Sequence, residues 1–144
     1  MKWVTWEYIG VDRMACGWLI RKFIDPNAEF IFITMGQQGL PEEAEPFDIP
    51  GVRLSHHQGH CTFHTMLQAY QLGDPVLQRI ARIVDEADVV QEVNVEAAAF
   101  GLDLICRGLR LTSPGDLVAL ERGSLIYDAL YAQLQTEVLG SQKA

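Results

Sequence analysis

Every strand-like run in this chain ends by His56, and this limits the fold more than any other feature. Lys2-Trp3-Val4-Thr5-Trp6 is aromatic and β-branched, as strands are. Glu29 to Thr34 is a second run; Phe30, Ile31, Phe32 and Ile33 make it apolar on both faces, which predicts a central position in the sheet. Val52 to His56 is the third, with Val52, Leu54 and His56 pointing one way and Arg53, Ser55 and His57 the other. From Thr62 onward apolar residues recur at three-four spacing instead. The pattern predicts an α+β fold: a small sheet of about three strands covered by about five helices, with a helical C-terminal half.

Helix boundaries follow from punctuation. Gly10 breaks the first strand, and Asp12 is an N-cap candidate for a helix to about Ile24, with Cys16, Leu19, Ile20 and Phe23 as its apolar face. Asp25-Pro26 ends it, because a residue before proline avoids the helical region. Met35 to Asp48 holds two glycines, two prolines and four acids and reads as the one long loop. A short helix from Thr62 to about Leu72 is followed by Asp74-Pro75, an N-cap with proline at the first helical position. That helix buries Val76, Ile80, Ile83, Val84 and Ala87. The next runs from about Val95 to Leu109, and Ser113-Pro114-Gly115-Asp116 reads as a capping box that starts the last. Leu117, Leu120, Ser124, Tyr127, Tyr131, Leu134 and Val138 form its stripe. A homodimer through this C-terminal helix is the partner that such a stripe allows, although Gly123 and Ser124 are small for a strong seam. Residues 1–139 are expected to form one domain, with 140–144 a frayed polar tail.

Eleven basic against nineteen acidic residues leave a net charge of −8, which opposes a grip on nucleic acid or on an anionic membrane. No apolar stretch approaches the roughly 18 residues of a membrane span, and a signal peptide is not expected. Three cysteines, an odd number, argue against a disulfide framework; the expected location is cytoplasmic.

All four histidines lie close together, His56, His57, His60 and His64, with Cys61 among them. Imidazole nitrogen and thiolate sulfur are preferred ligands of zinc and its neighbours. His57, Cys61 and His64 are the expected ligands, with His56 the alternative to His57. Asp85 or Asp88, at the end of the following helix, would supply a carboxylate. Acids there oppose the helix dipole, a small cost that a cation would offset. The competing reading is a polar turn whose histidines cap a helix or face solvent. Of the cysteines, Cys61 before a helix start is the best candidate for a reactive or ligating thiolate, while Cys106 reads as a small core residue.

Asp12, Arg13 and Glu86 are the catalytic candidates. Arg13, Gly17 and Arg21 line up at i, i+4 and i+8, so two guanidinium groups flank a glycine, an arrangement suited to an anion. The alternative is that both arginines pair with the acidic loop Glu42-Glu43-Ala44-Glu45. No GxSxG, GxGxxG, GxxxxGK[ST] or kinase signature occurs.

The stretch Val11-Asp12-Arg13-Met14-Ala15-Cys16-Gly17-Trp18-Leu19-Ile20-Arg21-Lys22-Phe23-Ile24-Asp25-Pro26, with Phe47-Asp48-Ile49-Pro50-Gly51-Val52, His56-His57, Cys61-Thr62-Phe63 and Tyr127-Asp128-Ala129-Leu130-Tyr131, resembles the ChrB C-terminal-type domain of bacterial chromate resistance proteins. The resemblance spans nearly the whole chain. It departs at Gly17, often proline in the family, and at His64, often a carboxylate there. It implies a part in chromate handling as sensor, regulator or accessory factor. The additional N-terminal region of longer members is not expected here, nor is their role in transcriptional regulation. The expected function is a metal-binding sensor or accessory domain, holding zinc, nickel or iron. A small metal-dependent enzyme acting on an anionic substrate and a pure interaction module are the alternatives. Direct chromate binding is expected to be weak or absent, because the net charge opposes it and Asp12 occupies the helix cap. The first-helix turn and the histidine cluster are expected to line one pocket.

Overall fold

The computed structural model describes residues 1–143. The elements, in chain order, are β1 (Lys2–Trp6), α1 (Val11–Leu19), β2 (Glu29–Ile33), β3 (Ala44–Pro46), α2 (Thr62–Ala69), α3 (Pro75–Asp88), α4 (Ala98–Thr112) and α5 (Asp116–Lys143). A π-helical turn, Ile20–Ile24, extends α1, closed by the Asp25 N–H on the Ile20 carbonyl at 2.7 Å. This is the α+β architecture with a helical C-terminal half.

The sheet is parallel throughout, in the order β2-β1-β3. Lys2 pairs with Glu29 on one side and with Ala44 on the other. β1, not β2, is therefore central. The crossover through α1 sets β2 beside β1, the next crossover puts β3 on β1's far side, and β2 is left half-buried at an edge. The third strand also differs from expectation. It is formed by Ala44–Pro46, inside the stretch read as loop, while Val52–His56 forms no strand. Leu54 alone bridges Phe47 in that segment, and its carbonyl accepts the Asp48 N–H at 2.7 Å. Left-handed turns at Asp48 (φ 51°) and Gly51 (φ 90°) fold the segment back before it can extend.

α1 is the hub. All its residues but Arg13 are buried. Trp18 stacks on Tyr127 of α5 at 5.7 Å and on Phe63 of α2 at 6.4 Å, and its indole N–H donates to Asp128 at 2.9 Å. The buried Tyr127 hydroxyl donates to the Val11 carbonyl at 2.7 Å. Gly17 exists for packing: a Cβ there would stand 2.5 Å from Leu120 Cδ1, and one at Gly123 would stand 2.8 Å from Met14 Sδ. These two glycines let α1 and α5 approach closely, so Gly17 does not open a trough for an anion. Three residues of the α5 stripe, Leu120, Tyr127 and Leu134, are buried in this chain's own core, while Leu117 stays exposed.

The Asp74-Pro75 cap is as expected, with the Asp74 carboxylate accepting the Val76 N–H at 2.8 Å. The Ser113–Asp116 box is not. α5 begins at Asp116, past Pro114, and the Asp116 carboxylate accepts the Ile9 N–H at 3.0 Å, joining the helix start to the loop after β1. α5 also continues through Lys143, beyond the expected tail boundary; Ala144 lies outside the described residues. Among the described residues no helix is long and apolar enough to cross a membrane.

Candidate metal centre

Asp12 does not cap its own helix, which starts at Val11 with Gly10 as N-cap. Its position in the first turn aims the carboxylate at another helix end. It accepts the Thr62 and Phe63 N–H groups at 2.8 and 3.0 Å, and so caps α2. The orphan donors of a helix start are satisfied from a distant part of the chain. This contact draws the α1 turn, the segment before α2 and the end of α3 together.

His56 stands at the meeting point. Its Nε2 lies 3.0 Å from Asp12 Oδ2, 3.5 Å from Asp48 Oδ1 and 3.1 Å from Asp88 Oδ2. Asp48 accepts the Thr62 hydroxyl at 2.7 Å and pairs with Arg13 Nε at 3.1 Å; the Arg13 guanidinium also donates to the Asp48 carbonyl at 3.0 Å. One potential ligand atom from each of Asp12, Asp48 and His56 lies within 4.8 Å of the others, and among the described residues this is the one such group. Three carboxylates facing one imidazole and one guanidinium leave an excess of negative charge. Burial, then the Asp12 charge, push Asp48 up to about 7, and Arg13 offsets only part of this. The same two causes push Asp88 up to about 6. The hydrogen bond to Asp12 raises His56 to about 9.

The donor set fits a first-row divalent cation. Ligand bonds of about 2.0–2.2 Å put neighbouring donors roughly 3 Å apart, the spacing of these oxygens around the imidazole nitrogen. Imidazole suits zinc, iron and nickel, and carboxylate oxygens suit the harder divalent ions. The cluster floors a cleft of about 530 Å³ whose walls include Trp6, Tyr8, Arg107 and Arg110. Arg13 lies 5.7 Å over the Trp6 ring, and Arg110 donates to the Tyr8 carbonyl at 3.4 Å.

The expected site residues thus divide. Asp12, Arg13, His56 and Asp88 share the cleft, as the one-pocket expectation requires for them. His57 does not join them. Its Nε2–H donates to the Arg53 carbonyl at 2.9 Å, and its ring faces a second concavity with His60 and His64. Cys61 is fully buried with its thiol on the Ala81 carbonyl at 3.9 Å; burial and the nearby carboxylates push that thiol far up, the opposite of a reactive thiolate. Asp85 turns away from the cleft to the Cys61 N–H and to His60, both at 2.8 Å. Glu86 accepts the Glu96 N–H at 2.9 Å, which ties down the segment before α4. Arg21 lies 4.9 Å over the Phe30 ring, apart from Arg13. Neither arginine pairs with the acidic loop, where Glu43 meets Lys2 and Glu45 meets Arg53. Asp48 was not among the expected ligands. Its signal was its place before Ile49-Pro50-Gly51, since aspartate is one of the few residues that tolerate a left-handed turn.

Fold and site define an α+β domain with a carboxylate–imidazole cluster flooring a cleft between the start of its hub helix, the 48–56 segment, the end of α3 and α4. The chain belongs to the ChrB C-terminal domain family, whose model matches residues 3–134. It is similar to Protein ChrB of Cupriavidus metallidurans (strain ATCC 43123 / DSM 2839 / NBRC 102507 / CH34), with 32% identity over 136 residues, 94% of this chain and 41% of that protein. The chain therefore spans less than half the length of that relative. No solved structure matches it.

Proposed function

We propose that this chain is a metal-binding sensor or accessory domain of the bacterial chromate resistance type, and that Asp12, Asp48 and His56 hold a divalent transition ion with Asp88 beside them. The observation that carries the reading is the convergence of three carboxylate oxygens on one imidazole nitrogen at 3.0 to 3.5 Å. Within the family, the same segments carry the resemblance: Asp12 and Arg13 in the first signature, Asp48 in the second, His56 in the third. Elemental analysis of purified, untagged protein, followed by calorimetric titration of the stripped protein with zinc, nickel and ferrous iron, tests it. Asp48→Asn and His56→Ala are expected to weaken binding to this centre by at least roughly tenfold, as changes around metal ligands do. Cys61→Ala leaves it unchanged. Equal affinity in Asp48→Asn, His56→Ala and the parent would overturn the ligand set.

A second reading is supported by the cleft itself. A pocket with a metal-ligand cluster on its floor and Arg13, Arg107 and Arg110 around it has the parts of a metal-dependent enzyme acting on an anion. In that role the ion would supply Lewis acidity, the arginines would orient the anion, and Trp6 and Tyr8 would limit water. Arg110→Ala separates the two readings: an enzyme loses turnover of its anionic substrate, while a pure sensor keeps its metal affinity and has no turnover to lose.

A further inference from the structure

Helix α4 is apolar on two faces. Ala99, Leu102 and Cys106 are buried against the core. At about 100° per residue, Phe100, Gly101, Leu104, Ile105, Gly108 and Leu111 stand on the opposite side, and none of them carries a charge. Phe100 is 74% exposed, Leu111 82%, Leu104 54% and Ile105 49%. A surface helix ordinarily carries its polar residues on that side. Here the charges are confined to one flank, where Asp103, Arg107 and Arg110 line the cleft. The two glycines of the outer face are equally unusual, because glycine inside a helix is destabilising relative to alanine. Gly17 and Gly123 are explained by the close contact of α1 with α5, but a Cβ at Gly101 or Gly108 would meet nothing within 4 Å. Their place on the exposed face suits a close approach from outside the chain.

We propose that this face is the seam of a symmetric dimer, in which α4 of a second copy crosses it antiparallel about a two-fold axis at the height of Leu104 and Ile105. The charge pattern selects both the partner and the direction. Asp103 precedes Arg107 and Arg110 on one flank. A two-fold lays that flank against its own copy in reverse, so Asp103 meets the partner's Arg107 and Arg110. A parallel pair would set the charged flank against Ile105 and lose the match. The same axis brings Gly101 beside the partner's Gly108 and Phe100 against the partner's Leu111, and the glycines let the helix axes approach. The four exposed apolar side chains offer roughly 500 Å² per copy, more than half of the about 800 Å² per partner in a standard interface. Because the charged flank lines the cleft, the two clefts open on one side of the seam, each with the partner's α4 at its rim. The seam lies on α4 and not on the α5 stripe. It shares no residue with the Asp12 centre and stands whether or not that centre holds a metal.

The test is sedimentation equilibrium of the whole chain across the micromolar range, where the parent is expected to be a dimer. Leu104→Glu sets two like charges at the axis and is expected to give a monomer with unchanged circular dichroism. The Gly101→Ala, Gly108→Ala double variant separates folding from association. Alanine favours each helix on its own, yet the new methyl groups hold the two axes apart, so association is expected to weaken by roughly tenfold while the fold is kept. Oxidation of cysteine variants reads the direction, since the native cysteines are buried. Copies carrying Phe100→Cys are expected to crosslink to copies carrying Leu111→Cys, and neither to itself. A parent that stays monomeric would overturn the proposal and leave the face to a different protein. A dimer that survives Leu104→Glu would place the seam elsewhere, and Leu111→Cys copies that crosslink to one another would refute the antiparallel two-fold.

Discussion

At the scale of single residues, Asp12 is the side chain with the most duties. It is 2% exposed, caps α2 through two N–H groups and meets His56. Asp12→Ala removes a cap and leaves buried donors unpaired, which is expected to lower stability by about 1–3 kcal/mol. Asp12→Asn keeps one acceptor oxygen and should recover part of the loss. Urea unfolding of both variants measures it, and an alanine variant as stable as the parent would contradict the capping role. The thiols give a second prediction. Cys16, Cys61 and Cys106 are free and fully buried, and burial raises all three, Cys106 to about 11. A colorimetric thiol reagent at pH 8 is expected to find no reactive thiol in the native protein and three after unfolding in denaturant. Much of the cleft was legible in residue types: Asp12, Arg13, His56 and Asp88 are chemistry-bearing residues in informative places. The division of the histidines was legible only in part. Alternation along an extended segment already sets His56 and His57 on opposite sides. What the segment faces on each side depends on α3, whose Asp85 and Asp88 are three positions apart and turn to different sites.

At the scale of elements, the contact between α1 and α5 decides the packing. Glycine inside a helix costs about 1 kcal/mol relative to alanine, so Gly17→Ala in open space would stabilise α1. Here the new methyl group would press on the buried Leu120 side chain at 2.5 Å, and overpacking costs about 1–3 kcal/mol. The net expectation is a loss of about 1–2 kcal/mol for Gly17→Ala. The double variant Gly17→Ala, Leu120→Ala should be more stable than the sum of the two single effects, because the alanine methyl then fills space that Leu120 vacates. Additive effects in thermal melts would refute the close approach. Helices were the legible part of this fold, since three-four spacing and the Asp74-Pro75 cap are local signals. The sheet was less legible. β3 has only three residues, two of them acid or proline, and it pairs solely because β1 offers a free edge. β2 looked central because its residues are apolar on both faces, yet strand order is set by crossovers that no local pattern records.

At the scale of the whole molecule, several acidic groups are buried neutral, and they tie stability to alkaline pH. Burial raises Tyr127 well above the usual phenol range, and it raises the thiols of Cys16, Cys61 and Cys106. The hydrogen bond to Asp74 raises Tyr131 to about 12. For each, the folded pKa exceeds the unfolded one. Below the unfolded value both states hold the proton and pH has no effect. Above it the unfolded chain ionises while the native protein stays protonated, so stability falls until the folded pKa is passed. The unfolded thiols begin to ionise near 9 and the phenols near 10. Each group that ionises only in the unfolded state adds up to about 1.4 kcal/mol of loss per pH unit. The native protein is therefore expected to lose stability steeply from pH 9 upward, more steeply again above 10. Tyr131→Phe, at the half-buried rim of the aromatic cluster around Trp18, removes one phenol without emptying the core. It should flatten the curve only between pH 10 and 12, the span between the unfolded and folded values of Tyr131. Urea midpoints measured from pH 8 to 12 check both statements. A midpoint that holds steady through pH 10 would mean that the thiols and Tyr127 ionise within the folded protein, and that the core around α1 admits water.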